Sequence, residues 1–267
     1  MLSEIFNKSS QNPAIEVEEK YLVKRQADLD NIIKYCIGTF TLDQNYYKDR
    51  NNQNYYLKSK IVGTLLSNPI SWYYDVPGLL LKDHAAQIRI RSSSTNGKSF
   101  HEIAIKGFDQ EIDGITVRHE EEFEIDTPEL DFSVFETYKS KQFIGGLSVV
   151  GITEKNLVKI FATDVDRLMF LIHHRDIPIE IAFDKIKYID PNGKKLAEQF
   201  EIELEYKGDG SHSAYQIRTA FTEIKTEMDK SKVKLIPSKK SKGARGYDFL
   251  PKGDIKDLTF YERYDII

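Results

Sequence analysis

The sequence predicts an α+β fold: an antiparallel β-meander or barrel with flanking helices. Three observations predict it. First, apolar and polar residues alternate along "AIEVEEKYLV" (14–23), "AAQIRIRSSS" (85–94), "SFHEIAIKG" (99–107) and "ITVRHEEEFEID" (115–126). That period-two pattern is the mark of a strand with two different faces. Second, short turns join several of these runs, and the Asn-Gly of "STNGK" (94–98) is a strong hairpin signal. Third, "QADLDNIIKYCIGT" (26–39) and "SAYQIRTAFTEIKTEM" (213–228) carry apolar residues at helical spacing.

Taken in order, residues 1–13 read as a loose leader ending at Pro13, and the first strand covers about 14–24. A helix follows. The Asn-, Tyr- and Lys-rich stretch 44–66 has no clear period and reads as a long loop or lightly structured insert. "ISWYYDV" (70–76) is aromatic and β-branched and opens the strand series. A helical region is expected across about 129–160. Three more strands follow in "VDRLMFLIHHRD" (165–176), "IPIEIAFDKIKYID" (177–190) and "EQFEIELEYKG" (198–208), the last two joined by a "PNGK" turn. The helix after 213 leads into a tail, 230–267, that is Lys-rich and then irregular. The division is therefore a leader (1–13), a strand-rich domain (14–210) and a C-terminal helix and tail (211–267).

Composition narrows the class. The chain has 267 residues, 40% hydrophobic and 30% charged, which suffices for a sizeable core. A formal net charge of -4 does not suit a strongly basic nucleic-acid binder. The single cysteine, Cys36, reads as a buried thiol and suits a reducing compartment. No signal peptide and no long apolar span is evident, so a cytoplasmic protein is expected. The six histidines show no metal-ligand spacing, and no Ser-His-Asp or Cys-His arrangement stands out.

The strands are unusual in what alternates. Glu16, Glu18 and Lys20 share one face. So do Arg89 and Arg91, then Arg118, Glu120, Glu122 and Glu124, and finally Glu201, Glu203 and Glu205. Any one row alone reads as a solvated face. Together they are harder to place in water, because like charges side by side repel. A hard cation such as Mg²⁺ or Mn²⁺ removes that cost and prefers oxygen ligands. Arginine forks match phosphate oxygens. Carboxylates for metal and guanidinium groups for phosphate point to a polyphosphate ester or anhydride.

These residues also resemble a known family. "EVEEK" (16–20) looks like the ExExK signature of the CYTH superfamily, the triphosphate tunnel metalloenzymes. "YYDVPGLLLKDHAAQIRIR" (73–91), "HEIAIKG" (101–107), "VRHEEEF" (117–123), "FATDVDR" (161–167), "IEIAFDKIKYID" (179–190) and "FEIELEYKGD" (200–209) resemble its later motifs in order. "LIPSKKSKGARGY" (235–247) resembles the segment that follows the tunnel in the bacterial inorganic triphosphatase branch, to which the chain looks closest. Lys20 and Asp75 lie further apart than is usual there, which places the extra length in the 44–66 insert.

The resemblance implies a closed antiparallel β-barrel, an eight-stranded tunnel with charged side chains inward. It implies Mg²⁺- or Mn²⁺-dependent hydrolysis of inorganic triphosphate to pyrophosphate and phosphate. A class IV-type adenylyl cyclase, a nucleoside or thiamine triphosphatase, and a non-catalytic polyphosphate-binding module remain as alternatives. Metal would fall to Glu16, Glu18, Glu201, Glu203, Glu205 and Asp184. Triphosphate would fall to Lys20, Arg89, Arg91, Lys106, Arg118 and Arg167. Glu120 and Glu122 would join Glu16, Glu18 and Lys20 in the catalytic set, orienting water, touching a second metal or pairing with the cations. Ser241, Lys242, Arg245, Gly246 and Tyr247 are expected to dock against the barrel, while a solvated tail is favoured for the Lys-rich run 230–245. The expected partner is a small triphosphate, with no membrane, in a monomer or homodimer; no nucleic acid is expected, the Lys-rich run 230–245 being the one stretch that leaves it open.

Overall fold

The computed structural model describes residues 15–40, 55–57, 60–62, 65–95, 98–112 and 115–251. In chain order these form β1 (Ile15–Val23), α1 (Gln26–Thr39), β2 (Tyr55–Leu57), β3 (Lys60–Val62), β4 (Leu65–Ser67), β5 (Ile70–Asp75) and α2 (Leu80–Asp83). Then come β6 (Gln87–Thr95), β7 (Lys98–Ile112), β8 (Ile115–Ile125), α3 (Tyr138–Val149), β9 (Val158–His174), β10 (Ile177–Ile189), β11 (Lys195–Tyr206), α4 (Ala214–Asp229), β12 (Ile236–Pro237) and α5 (Lys242–Gly246). The leader 1–13, most of the 44–66 insert and the last residues of the tail lie outside the described residues.

The α+β class holds. The main sheet is antiparallel, with strand order β10-β11-β1-β8-β7-β6-β5-β9-β4, and β12 adds to β1. β9 pairs with β5 on one side and with β10 on the other, from Ile177↔His174 to Ile189↔Ala162. β4, which straddles the end of the 44–66 stretch, is a strand that pairs with β9 in line with β5. Pro69 lies between the two strands and brings no N–H to the ladder, so one long strand becomes two. The helical region is shorter than expected: α3 ends at Val149 and β9 begins at Val158.

Strand parity decides which side chains meet. On β6 and β7 the residues Ile88, Ile90, Ile103 and Ile105 face outward and are buried with Phe143 and Leu147 of α3. On β9, β10 and β11, Phe170, Ile172, Ile179, Ile181, Phe183, Ile202 and Leu204 face outward. They pack with Leu29, Ile32 and Cys36 of α1 and Ile217, Phe221, Ile224 and Met228 of α4. Both helices present a stripe at i, i+3, i+7 spacing, which explains their amphipathic sequence. Burial pushes the Cys36 thiol up to about 12, so it sits there as an inert small hydrophobe. The opposite parity of every one of these strands faces inward.

That inner face is not charged along its whole length. At one end Tyr73, Phe161, Val165, Ile186 and Tyr188 form an apolar cluster with Tyr247. α5 docks here. The Gly243 and Gly246 positions touch Gln87, Tyr73 and Phe161 so closely that a Cβ would collide with them. Ser241 caps α5 by accepting a hydrogen bond from the Ala244 N–H at 3.1 Å and also accepts one from Gln87 Nε2 at 2.9 Å. The Tyr247 hydroxyl donates to Asp75 Oδ2 at 2.9 Å. Asp75 is fully buried and also accepts from the N–H groups of Val76, Leu81 and Lys82, which ties the start of α2 to the end of β5.

Candidate active site

Beside the apolar plug lies a cavity of about 360 Å³, lined from β1, β5, β6, β7, β9, β11 and α5. Its charged walls come from strand parity. Register pairs Lys20 with Glu203, Glu18 with Glu205, Asp184 with Arg167 and with Glu201, Arg91 with Glu102, and Lys106 with Glu120. Directly opposed residues share a face, so one row of charge sets the next.

The first wall is acidic. Single oxygens of Asp184, Glu201 and Glu203 lie within 4.8 Å of one another, and all three residues are buried. Lys242, carried in by α5, places its ammonium 2.9 Å from Asp184, 2.6 Å from Glu201 and 2.6 Å from Glu203. Arg167 donates to Asp184 through two nitrogens at 2.7 and 2.6 Å and also to Glu203. Arg245 pairs with Glu201 at 2.5 Å. Burial pushes the Glu201 carboxyl above its usual range despite Lys242 and Arg245. Burial acts on Glu203 in the same sense, but Lys242, Arg167 and Lys20 outweigh it and hold that carboxyl well below its usual range. Burial opposes the Lys242 charge, yet the three carboxylates raise its pKa above the ordinary lysine value.

The second wall is a mixed network on β6, β7 and β8. Arg89 pairs with Glu122, with Glu120 at 3.0 Å and with Glu102 at 3.5 Å. Arg91 pairs with Glu102 at 2.7 Å, and Lys106 with Glu120 at 2.5 Å. Burial would raise the Glu120 carboxyl, but Lys106 and Arg89 hold it below its usual range. For Glu122 burial is likewise overcome, chiefly by Arg89. Both are therefore held as carboxylates.

The structure thus gathers Lys20, Arg89, Arg91, Lys106 and Arg167 around one cavity with Glu18, Glu203 and Glu205. Asp184 and Glu201 lie directly behind the acidic wall. Glu18 is ion-paired with Lys20, while Glu205 binds Lys207 at 2.5 Å rather than joining the three converging carboxylates. The side chains of Glu16 and Arg118 lie outside the described residues, although their backbones pair with each other across β1 and β8. Glu124 stands opposite Glu102 at the far end of β8.

One site residue, Glu102, is not among those the sequence singles out. Glu102 shares the parity of Lys106, so alternation in "HEIAIKG" carried a usable signal. Lys242 belongs to a Lys-rich run favoured as a solvated tail and also to the segment expected to dock, though with no expected part in the site. Lys230 and Lys240 do stay at the surface, paired with Glu227 and Asp248, but Lys242 and Arg245 turn inward. The signal was the Gly243 and Gly246 spacing, which permits close docking.

The converging carboxylates fit a divalent cation. They form an all-oxygen, buried donor set that already gathers a positive group, and hard cations such as Mg²⁺ and Mn²⁺ take such ligands. Among the described residues no helix is long and apolar enough to cross a membrane.

Comparison with known proteins gives the following. The CYTH domain family model matches residues 70–238. No curated protein sequence matches the chain. A solved structure from Hippeastrum, an adenylyl cyclase candidate with a dominant triphosphatase activity, is similar at a TM-score of 0.55 and 14% identity, covering 87% of this chain and 95% of that one. A Bacillus halodurans structure, provisionally an adenylate cyclase, is similar at a TM-score of 0.52 and 16% identity, covering 88% of this chain and 98% of that one. At such identities the likeness is one of fold.

Proposed function

The chain belongs to the CYTH domain family, and from that premise we propose that it is a divalent-metal-dependent triphosphatase acting on inorganic triphosphate. We read the ring of strand pairings as the family's tunnel, with substrate held in the charged cavity. The observation that carries the proposal is the convergence of three buried carboxylates, of which Glu203 lines the same cavity as Lys20, Arg89, Arg91, Lys106 and Arg167. The cavity, at about 360 Å³, falls at the small end of the roughly 300–1,000 Å³ range of ligand sites.

The substrate assignment rests on what the lining offers. Tyr73 is the aromatic residue among the described lining residues, and it is stacked on Phe161 at 4.8 Å. Among the described lining residues no second aromatic ring stands with Tyr73 to clasp a nucleobase or thiazole, whereas a bare chain of phosphates finds cations on both walls. Its oxygens would replace carboxylates as partners of Arg89, Arg91 and Lys106 on one side and of Arg167, Lys20 and Lys242 on the other.

Phosphoryl transfer needs little covalent help from the protein. Asp184, Glu201 and Glu203 would hold Mg²⁺ or Mn²⁺, which when bound neutralises phosphate charge and positions water. As the anhydride bond breaks, charge grows on the departing pyrophosphate oxygen. The fixed guanidinium and ammonium groups meet that charge without reorganising. Glu120 and Glu122, held ionised by Lys106 and Arg89, are weak bases, so their part is to accept hydrogen bonds from water and orient it.

The test is phosphate release from inorganic triphosphate, ATP and thiamine triphosphate with Mg²⁺ or Mn²⁺, with cyclic AMP formation measured alongside. The expected result is metal-dependent turnover, with the highest kcat/KM for inorganic triphosphate and no cyclic product. Glu203→Gln is expected to lower kcat by about 100-fold or more, on the scale of losing one preorganised charged group. No turnover of any triphosphate with either metal sinks the reading.

A further inference from the structure

We propose that Lys242 is the resident counter-cation of the Asp184, Glu201 and Glu203 carboxylates, and that a divalent metal binds them only by displacing its ammonium group. The inference rests on the reading of these carboxylates as the metal site. An ammonium has three N–H donors. Here it meets three carboxylates, one oxygen each, at 2.9, 2.6 and 2.6 Å. It donates a hydrogen bond to Glu203 and stands in ion-pair contact with the other two, so its charge occupies the space among the oxygens a metal would take.

The two cations exclude one another. Mg²⁺ binds oxygen at about 2.0–2.1 Å and tolerates little distortion. A metal so placed on these oxygens would stand almost on the Lys242 nitrogen, where two positive charges at low dielectric repel strongly. One of them has to leave.

Lys242 is built to be the one that moves. Its backbone is pinned: Gly243 and Gly246 are pressed against Tyr73, Gln87 and Phe161, and Arg245 donates to Gln199 at 2.8 Å and to the Lys240 carbonyl at 2.7 Å. Its side chain is a flexible stem with its charge at the tip, and it lines the open cavity. A rotation of the stem carries the ammonium from the carboxylates into the space where phosphate oxygens would lie, without undocking α5. Arg245 approaches Glu201 from a position held by Gln199 and the Lys240 carbonyl, and Arg167 holds Asp184 through two parallel hydrogen bonds that would have to break together.

Metal binding in the absence of triphosphate therefore works against the loss of three ion pairs that nothing replaces. Triphosphate supplies the replacement, so each ligand favours the other. A protein without the Lys242 charge should bind metal well by itself.

The experiment measures Mn²⁺ affinity by titration calorimetry and by the free-Mn²⁺ electron paramagnetic resonance signal, with Mn²⁺ as the only ligand added. Wild type is compared with Lys242→Gln and Lys242→Arg, and folding is confirmed by circular dichroism. Lys242→Gln is expected to bind Mn²⁺ at least 10-fold more tightly than wild type, and Lys242→Arg no more tightly. Where Lys242→Gln is unstable in chelator, its melting temperature should rise on adding Mn²⁺ by more than that of wild type. On the wild-type protein, reductive methylation followed by peptide mass spectrometry should show Lys242 protected in chelator and modified with Mn²⁺ present. Equal or weaker Mn²⁺ binding by Lys242→Gln overturns the proposal. If wild type still turns over triphosphate, only the role of Lys242 falls. Failure of wild type to bind Mn²⁺ and to turn over any triphosphate overturns the metal site as well.

Discussion

Asp75 shows how much one buried side chain can carry. Its carboxylate takes hydrogen bonds from three backbone N–H groups and from Tyr247, and nothing of it reaches solvent. Burial pushes its pKa up, and those donors partly offset the shift. Asp75→Ala would leave several donors without partners, and a loss of about 3 kcal/mol or more is expected in urea denaturation. Tyr247→Phe removes one donor and should cost only about 1 kcal/mol. Glu120 and Glu122 give a second residue-scale expectation. Their folded pKa values lie below the ordinary glutamate value of 4.5. A depressed carboxyl stabilises the fold above its unfolded pKa, and that stability is lost as pH falls through the folded value. Denaturation midpoints should therefore hold steady down to the ordinary glutamate value and drop below it. The drop should be shallower in Glu120→Gln, which has no charge to lose. An equal drop in wild type and variant would refute the assignment.

At the scale of elements, α5 matters more than its five residues suggest. It closes the apolar end of the inner face and delivers Lys242 to the carboxylates. Gly246→Ala would drive a methyl group into the Phe161 ring, which is fully buried and stacked on Tyr73. Overpacking of that kind costs about 1–3 kcal/mol. Because the displaced element carries Lys242, turnover should fall as well, even at temperatures where circular dichroism shows the protein folded. Full turnover in a folded Gly246→Ala variant would show that the docking of α5 is not what places Lys242. The same element marks where the sequence became hard to read. Rows such as Glu201, Glu203 and Glu205 announce a shared face because strand parity is strict. A short helix in a Lys-rich run has no such rule. The glycine spacing permits Lys242 and Arg245 to turn inward, but their partners, Glu201 and Tyr188 among them, lie far along the chain and no local pattern names them. β4 was missed for a related reason: three residues before a proline are too few to establish a period.

For the whole molecule, alternation showed the two faces of each strand but not the order of the strands. β1 lies between β8 and β11, and β5 lies between β6 and β9, pairings that close large loops of chain. The covered outer faces rest on α1, α3 and α4, so the inner face is where a charged ligand can act on stability. There, each cation of the two walls is already engaged by carboxylates. A polyanion alone must break these pairs and leave carboxylates facing its own charge. A metal alone must compete with the ammonium and guanidinium groups. Together they exchange every internal pair for a new one, carboxylate to metal and cation to phosphate. Thermal unfolding should therefore be nearly unmoved by inorganic triphosphate in chelator and only slightly raised by Mn²⁺. It should rise with both present in the Glu120→Gln background, where loss of a water-orienting carboxylate slows turnover so that the ligand survives the scan. At 100 times its dissociation constant a ligand contributes about 2.7 kcal/mol, which for a domain of this size is roughly 5–10 °C. A rise with triphosphate in chelator as large as that with both would mean that the carboxylates do not take part in binding, and that the cations read the polyanion unaided.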